Sequence, residues 1–192
     1  MRKGVNMKVK IGVSNRHIHL CKQDYDILFG DIEMEKIKDL VQLGEFASNM
    51  QVEIQTNKSK IAKVRLLGPL RQYTQVELSK TDCYTLGIDA PVRSSGDLNG
   101  ASEITINGPC GSITKECAII ANRHLHINHD DRIALGLENV DKIKVRIGSE
   151  KSAILDSVYI KETPKGVLEL HLDTDDANAN LVRSNDSAEL IY

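Results

Sequence analysis

Two histidine pairs carry the strongest chemical signal in this chain. Asn15-Arg16-His17-Ile18-His19-Leu20 returns later as Asn122-Arg123-His124-Leu125-His126-Ile127. In an extended strand, residues i and i+2 face the same way, so each pair aims two imidazoles at one point. A single H-x-H more often alternates outward on an exposed strand. A duplicated hexapeptide, with five of the chain's six histidines in or beside it, points instead to metal. Imidazole nitrogen suits zinc, and also iron, copper or nickel.

Each pair needs a further donor. Glu77, in Gln75-Val76-Glu77-Leu78, and His171, in Leu168-Glu169-Leu170-His171-Leu172, stand out because both lie in alternating segments whose apolar residues face one way and polar residues the other. Either alone reads as an ordinary outward-facing polar side chain. His129, close to the second pair, reads more simply as a polar residue at a helix start. Arg71 follows the turn Leu67-Gly68-Pro69-Leu70 and is placed to meet an anion or simply solvent. Asp173-Thr174-Asp175-Asp176-Ala177-Asn178 has the acidic look of a calcium loop. It lacks the oxygen donor at the fifth position, the glycine at the sixth and the glutamate at the twelfth, so a helix start capped by Asp173 or Thr174 is expected instead. Cys21, Cys83, Cys110 and Cys117 form no C-x-x-C pair and are expected to be reduced and neither ligands nor nucleophiles.

The elements that hold these residues read as short strands: Lys8 to Val13, Gln51 to Gln55, Ile61 to Leu67, Glu103 to Ile106, Lys144 to Ile147, Ala153 to Ile160 and Val167 to Leu172. Bounded by Gly, Pro, Asn and Asp, they predict barrels or sandwiches rather than a doubly wound sheet. Helices are few. Met34, Ile37, Leu40 and Val41 recur at helical spacing and predict a helix over Met34 to Leu43. Asp82 and Asp131 each open a D-x-x-x-L-G echo, expected to form a short helix with the Asp as N-cap and Gly87 or Gly136 past its end. The echoes and the repeated hexapeptide divide the chain into two related halves with no low-complexity linker.

With 192 residues and 41% hydrophobic composition, the chain has material for one large or two small domains. Its 25 basic and 27 acidic residues are well mixed, which excludes a broad footprint for nucleic acid or a membrane surface. The opening residues Met1 to Lys8 run into a strand pattern without the apolar stretch of a signal peptide or membrane helix, so a soluble intracellular protein is expected.

Val13-Ser14-Asn15-Arg16-His17-Ile18-His19-Leu20, Leu67-Gly68-Pro69-Leu70-Arg71, Thr74-Gln75-Val76-Glu77-Leu78-Ser79, Ala121-Asn122-Arg123-His124-Leu125-His126 and His171-Leu172-Asp173-Thr174-Asp175-Asp176-Ala177-Asn178-Ala179 together resemble the PduL-type phosphate propanoyltransferase family, in the same order from about Lys8 onward. The resemblance implies a mainly β fold of two small β-barrels capped by short α-helices. The domains are discontinuous, residues 1–15 with 122–192 and residues 16–121, with the active site at their interface. It implies a phosphotransacylase that reversibly converts propanoyl-CoA or acetyl-CoA and phosphate into acyl phosphate and coenzyme A, using two zinc ions per chain. One ion would belong to His17, His19 and Glu77, and the other to His124, His126 and His171. Arg71 matches the phosphate-binding, catalytic arginine, and Val13, Ser14, Asn15, Lys58, Arg65 and Asn178 match coenzyme A contacts. Asn15 and Asn122 depart from the small residues common there, and Cys117 from the usual Gly. Acyl-CoA and phosphate are the expected partners, with no nucleic acid or membrane, in a homodimer. Family members bound for bacterial microcompartments carry an extra amphipathic N-terminal segment; with only about seven residues before the first strand, a cytoplasmic enzyme is expected, with a microcompartment lumen reached by another route as the alternative.

Two rivals remain at this point. A cupin-type metal oxygenase also places H-x-H on a barrel strand, but wants a Glu four or five residues later, where this chain has Gln23 and Asp24. A non-catalytic module that binds metal or coenzyme A is the other, and thiol release from acyl-CoA separates it from an enzyme.

Overall fold

The computed structural model describes residues 7–191; the lead-in Met1 to Asn6, expected to carry no targeting segment, lies outside the described residues. In chain order the first half comprises β1 (Lys8–Ser14), β2 (His17–His19), α1 (Lys22–Phe29), β3 (Lys36–Asp39), β4 (Phe46–Gln55), β5 (Lys60–Gly68), β6 (Gln75–Leu78), α2 (Lys80–Leu86), β7 (Val92–Arg93), β8 (Ser102–Asn107) and β9 (Ser112–Ala121). The second comprises β10 (His124–Ile127), α3 (His129–Ala134), β11 (Lys142–Ile147), β12 (Ala153–Glu162), β13 (Glu169–Asp173), α4 (Thr174–Ala179) and β14 (Ser187–Ile191). The chain is thus mainly β with short helices, and no helix among the described residues is long and apolar enough to cross a membrane.

Two compact units emerge, one taking the chain up to Ser14 together with everything from Asn122 onward, the other Asn15–Ala121. The first closes into a barrel in the order β1-β13-β10-β12-β11-β14. The second closes as β9-β6-β2-β5-β4-β8, because β8 pairs with both β4 and β9; β3 and β7 attach outside the ring to β4 and β9. The sense of each pairing is the same around both rings. β10 lies parallel to β12 and antiparallel to β13, as β2 lies parallel to β5 and antiparallel to β6, while β1 runs parallel to β13 as β9 does to β6. The sequence echo is therefore a structural repeat in which the leading strand of each repeat, β1 or β9, completes the ring of the other.

Alternation explains the walls. Ile18, Leu20, Val76 and Leu78 join one core with Val64, Leu66 and Ile104, and Leu125, Ile127, Leu170 and Leu172 join the other with Ile11, Val145 and Val158. Because successive side chains point to opposite faces, His17, His19, Glu77, His124, His126 and His171 must all stand on the face away from these cores.

Two local expectations are corrected. Met34 to Leu43 is not a helix: Lys36–Asp39 forms edge strand β3 against Phe46–Ser48 of β4. Ile37, Val41 and Leu43 are 60%, 51% and 64% exposed, so their helical spacing had no apolar surface to bury and backbone pairing decided the conformation. Asp82 and Asp131 are not N-caps. Ser79 caps α2 and Asn128 caps α3, each accepting from the Asp backbone three residues on; Asp82 also returns a side-chain bond to Ser79 N, completing a capping box. Gly87 does end α2 with a positive φ, a conformation that Gly adopts without a Cβ clash, and Asp173 does cap α4.

Candidate functional site

The first cluster is built on adjacent strands of the Asn15–Ala121 barrel. Register places His17 opposite Glu77 and His19 opposite Gln75. The His17 Nε2 lies 3.4 Å from Glu77 Oε2, and the two imidazoles meet edge to face with centroids 5.0 Å apart. Gln75 Nε2 donates to Glu77 Oε1 at 2.6 Å, fixing the carboxylate and leaving its second oxygen toward His17. All of these side chains are buried. Burial above all, with the nearby Arg71 guanidinium behind it, holds the His19 imidazole well below its usual pKa, so it is neutral with a lone pair to offer.

The second cluster repeats this in the other barrel. His124 stands opposite His171, and His126 opposite Glu169. Ring centroids lie 4.7 Å apart for His124 and His126, 5.1 Å for His124 and His171, and 4.3 Å for His126 and His171. In each cluster the three potential donor atoms lie within 4.8 Å of one another.

The surroundings show that both sets fit a metal ion. The Asn15 carbonyl accepts from His17 Nδ1 at 2.8 Å, and the Asn122 carbonyl from His124 Nδ1 at the same distance. A carbonyl can only accept, so the proton is on Nδ1 and Nε2 presents its lone pair, the usual way a neighbouring group orients a ligating histidine. His124 Nε2 lies 3.1 Å from His126 Nε2. Among the described residues, the buried Nδ1 of His19 finds no hydrogen-bond partner, a cost that an ion on this nitrogen would remove. Nitrogen with one carboxylate, or nitrogen alone, is a donor set for zinc and its transition-metal neighbours rather than for calcium or magnesium.

The arginine of each repeated hexapeptide secures the histidine beside it. Arg123 forks onto Asp176, Nε to Oδ2 at 2.8 Å and Nη2 to Oδ1 at 2.7 Å, and Arg16 bonds Asp82 with Nε at 2.8 Å and Nη2 at 2.7 Å. Asp82 and Asp176 occupy the third position of α2 and α4, the helices that follow the strands carrying Glu77 and His171. Each pair therefore ties a histidine strand to the helix after its partner strand.

Arg71 belongs to the first cluster's polar surroundings. Its backbone N–H donates to Leu20 O at 2.8 Å. Its Nη1 donates to Ser95 Oγ at 3.1 Å and Tyr73 Oη at 3.3 Å, and its Nη2 to Glu45 Oε1 at 3.0 Å. Ser95 Oγ also accepts from Gln75 Nε2 at 2.9 Å, so a hydrogen-bonded chain runs from Arg71 through Ser95 and Gln75 to Glu77. Glu45 and Ser95 carried no signal in the sequence, because each sits in a segment with no motif of its own, and Gln75, though inside the Glu77 motif, was not singled out.

The remaining matched residues divide between the two units. In the first, Val13 and Ser14 lie on β1 opposite Leu172 and Asp173, and exposed Asn178 lies on α4 just beyond. In the second, Asn15 is exposed, and Arg65 stands opposite His17 with Nη1 donating to Ser48 O at 2.9 Å. Lys58 is held elsewhere: its stem covers Gly87 and its Nζ donates to Tyr84 O at 3.1 Å near the end of α2. The cysteines are all free thiols. Burial pushes the Cys117 thiol up to about 12 and raises that of Cys83, which removes both as nucleophiles.

A family model described as phosphate propanoyltransferase matches residues 10–183. Among similar proteins is a phosphate propanoyltransferase of Rhodopseudomonas palustris (strain BisB18), 41% identical over 93% of this chain and 80% of the relative. Phosphate propanoyltransferases of Thermotoga maritima and Priestia megaterium are 43% and 45% identical, each over 95% of this chain and over 87% and 85% of the relative.

Proposed function

This chain belongs to the phosphate propanoyltransferase family of acyltransferases, and we propose that it exchanges a short acyl group, propanoyl or acetyl, between coenzyme A and inorganic phosphate in either direction, with zinc in both histidine clusters. The observation that carries this reading is the duplicated donor set, with an arginine joined to the first of them through Ser95 and Gln75.

In this reading His17, His19 and Glu77 hold one ion and His124, His126 and His171 the other. When bound, the ions supply positive charge for the developing oxyanion and for the departing sulfur. Arg71 binds phosphate by forked, charge-assisted hydrogen bonds, with phosphate replacing Glu45 on Nη2 while Ser95 and Tyr73 hold Nη1 in place. Held this way, a phosphate oxygen attacks the thioester carbonyl carbon. The carbon–sulfur bond then breaks, and coenzyme A leaves as the thiolate. Gln75 keeps Glu77 in one orientation throughout, and the Asn15 and Asn122 carbonyls keep protons on Nδ1 of His17 and His124. Direct attack is favoured over an acyl-enzyme, because no cysteine sits in an activating motif and burial keeps the Cys83 and Cys117 thiols protonated.

The test is coenzyme A release from acetyl-, propanoyl- and butanoyl-CoA, with and without phosphate and a zinc chelator, with metal measured in the same preparation. Phosphate-dependent release that chelation abolishes and zinc restores supports the reading. Metal retention without release identifies a binding module, and release indifferent to chelation removes zinc from the chemistry.

A further inference from the structure

We propose that the second histidine cluster has a fourth working member, Glu169, which positions His171 and sets how tightly that cluster holds its metal. The inference rests on the zinc reading above.

Glu169 is 5% exposed, although it stands on the face of β13 turned away from the barrel core. Its Oε2 lies 2.7 Å from His171 Nε2. Register puts it opposite His126, so the residues form a square with His124 beside His171 along one edge and His126 beside Glu169 along the other. Lys10, its neighbour across β1, sends its ammonium to Asn185 O instead. A carboxylate buried so deeply is stable only beside positive charge or hydrogen-bond donors. The His171 imidazole is beside it, and Lys161 stands across His126 on the next strand.

The backbone has made room for this contact. A Cβ on Gly12, opposite His171 on β1, would lie 2.9 Å from Glu169 Cδ and 3.0 Å from both Glu169 Oε1 and His171 Cδ2. No positive φ requires glycine at this position, so space for the Glu169–His171 pair is the physical reason for it.

The repeat supplies independent support. The first cluster is the same square, with His17 beside Glu77 and His19 beside Gln75. Gln75 stands where Glu169 stands, two residues before the third donor, and its amide orients Glu77. The first square thus has a carboxylate donor oriented by an amide, and the second an imidazole donor oriented by a carboxylate. Each square contains one carboxylate, at exchanged corners. A carboxylate hydrogen-bonded to a ligating histidine fixes its ring and raises its basicity, and losing such a partner weakens metal binding about 10- to 100-fold.

Zinc affinity of the full chain is measured by competition with a chelator of known affinity, for wild type, Glu169→Gln and Gly12→Ala, with thermal melting of the metal-free proteins as the control for folding. Glu169→Gln keeps the shape and removes the charge. It is expected to hold one zinc with wild-type affinity and the other about 10- to 100-fold more weakly, and to shift the visible spectrum of the cobalt(II)-loaded protein. Gly12→Ala, which displaces the pair without removing it, should weaken the same site, and it decides the matter if Glu169→Gln does not fold. Two wild-type zinc affinities and an unchanged cobalt spectrum in Glu169→Gln overturn the role of Glu169 and leave the metal reading standing. A wild-type protein that binds fewer than two zinc ions overturns the metal reading, and this inference with it.

Discussion

Replacing Arg71 with lysine separates charge from geometry at the proposed phosphate site. The guanidinium contacts Ser95 and Tyr73 through Nη1 and Glu45 through Nη2. A lysine ammonium keeps the charge but cannot present two nitrogens in a plane to one phosphate. Losing one charge-assisted hydrogen bond is worth about 1.5–3 kcal/mol, or roughly ten- to a hundredfold in kcat/KM for phosphate. The Arg71 and Glu45 side chains are 21% and 35% exposed, so water screens their ion pair. Such a pair is worth about 0.2–1 kcal/mol, less than the bonds phosphate would form, so in this reading phosphate would displace Glu45. Glu45→Gln should therefore act in the opposite direction and lower the phosphate KM by about 1.5- to 5-fold. The assay is initial rate against phosphate at fixed acyl-CoA, with zinc quantified in each preparation. Wild-type phosphate dependence in both Arg71→Lys and Arg71→Ala would show Arg71 to be a structural arginine and refute the reasoning.

Other outcomes follow from the same geometry. His17→Ala and His124→Ala should each remove one zinc and most activity, since each leaves two of three donors; elemental analysis with turnover checks this, and near-normal turnover in either sinks the two-metal mechanism. Asp82→Ala should destabilise the protein more than Asp176→Ala, by about 1 kcal/mol, because Asp82 completes a capping box as well as binding its arginine; equal denaturation midpoints argue against this. Burial raises the Cys117 pKa to about 12. The folded state therefore binds the proton more tightly, and stability should be intact below about pH 9 and fall as pH rises toward 12, a slope that Cys117→Ala should reduce in alkaline denaturation. Lys115→Met should destabilise the protein by about 1–3 kcal/mol. Burial pushes the Asp24 carboxyl up, yet hydrogen bonds from Lys115 and Thr74 prevail and hold it below the usual range. Wild-type stability from this source is present above pH 4 and lost as pH falls, so the variant should lose most of its disadvantage in acid.

The two histidine pairs were legible because strand alternation is a strong local rule, whereas the assignment of Glu77 and His171 beside them came from the resemblance. Once His17 and His19 share a face, so do Gln75 and Glu77, and the repeat extends the argument to the second barrel. What was not legible was which strands adjoin. Nothing in the alternation of Glu169-Leu170-His171 shows that Glu169 lies beside His126, since that follows from cross-strand register over a long stretch of chain. Arg71's partners Glu45 and Ser95 come from loops whose sequences specify turns and nothing more. The helix expected over Met34 to Leu43 failed for the converse reason: a local period was present, and no apolar surface was there to receive it.

The exchange of leading strands also imposes an order of events during synthesis. All six ring strands of the Asn15–Ala121 barrel lie in one continuous stretch, so that ring can close while the rest of the chain is still being made. In the other ring, β1 precedes that whole stretch and its partners β13 and β14 follow it. β1 therefore waits without its ring partners while residues 15–121 and much of the second repeat are made, with its edges open to wrong partners. The lysines at Lys8 and Lys10, alternating with Val9 and Ile11, give that waiting strand a charged face that discourages such pairing.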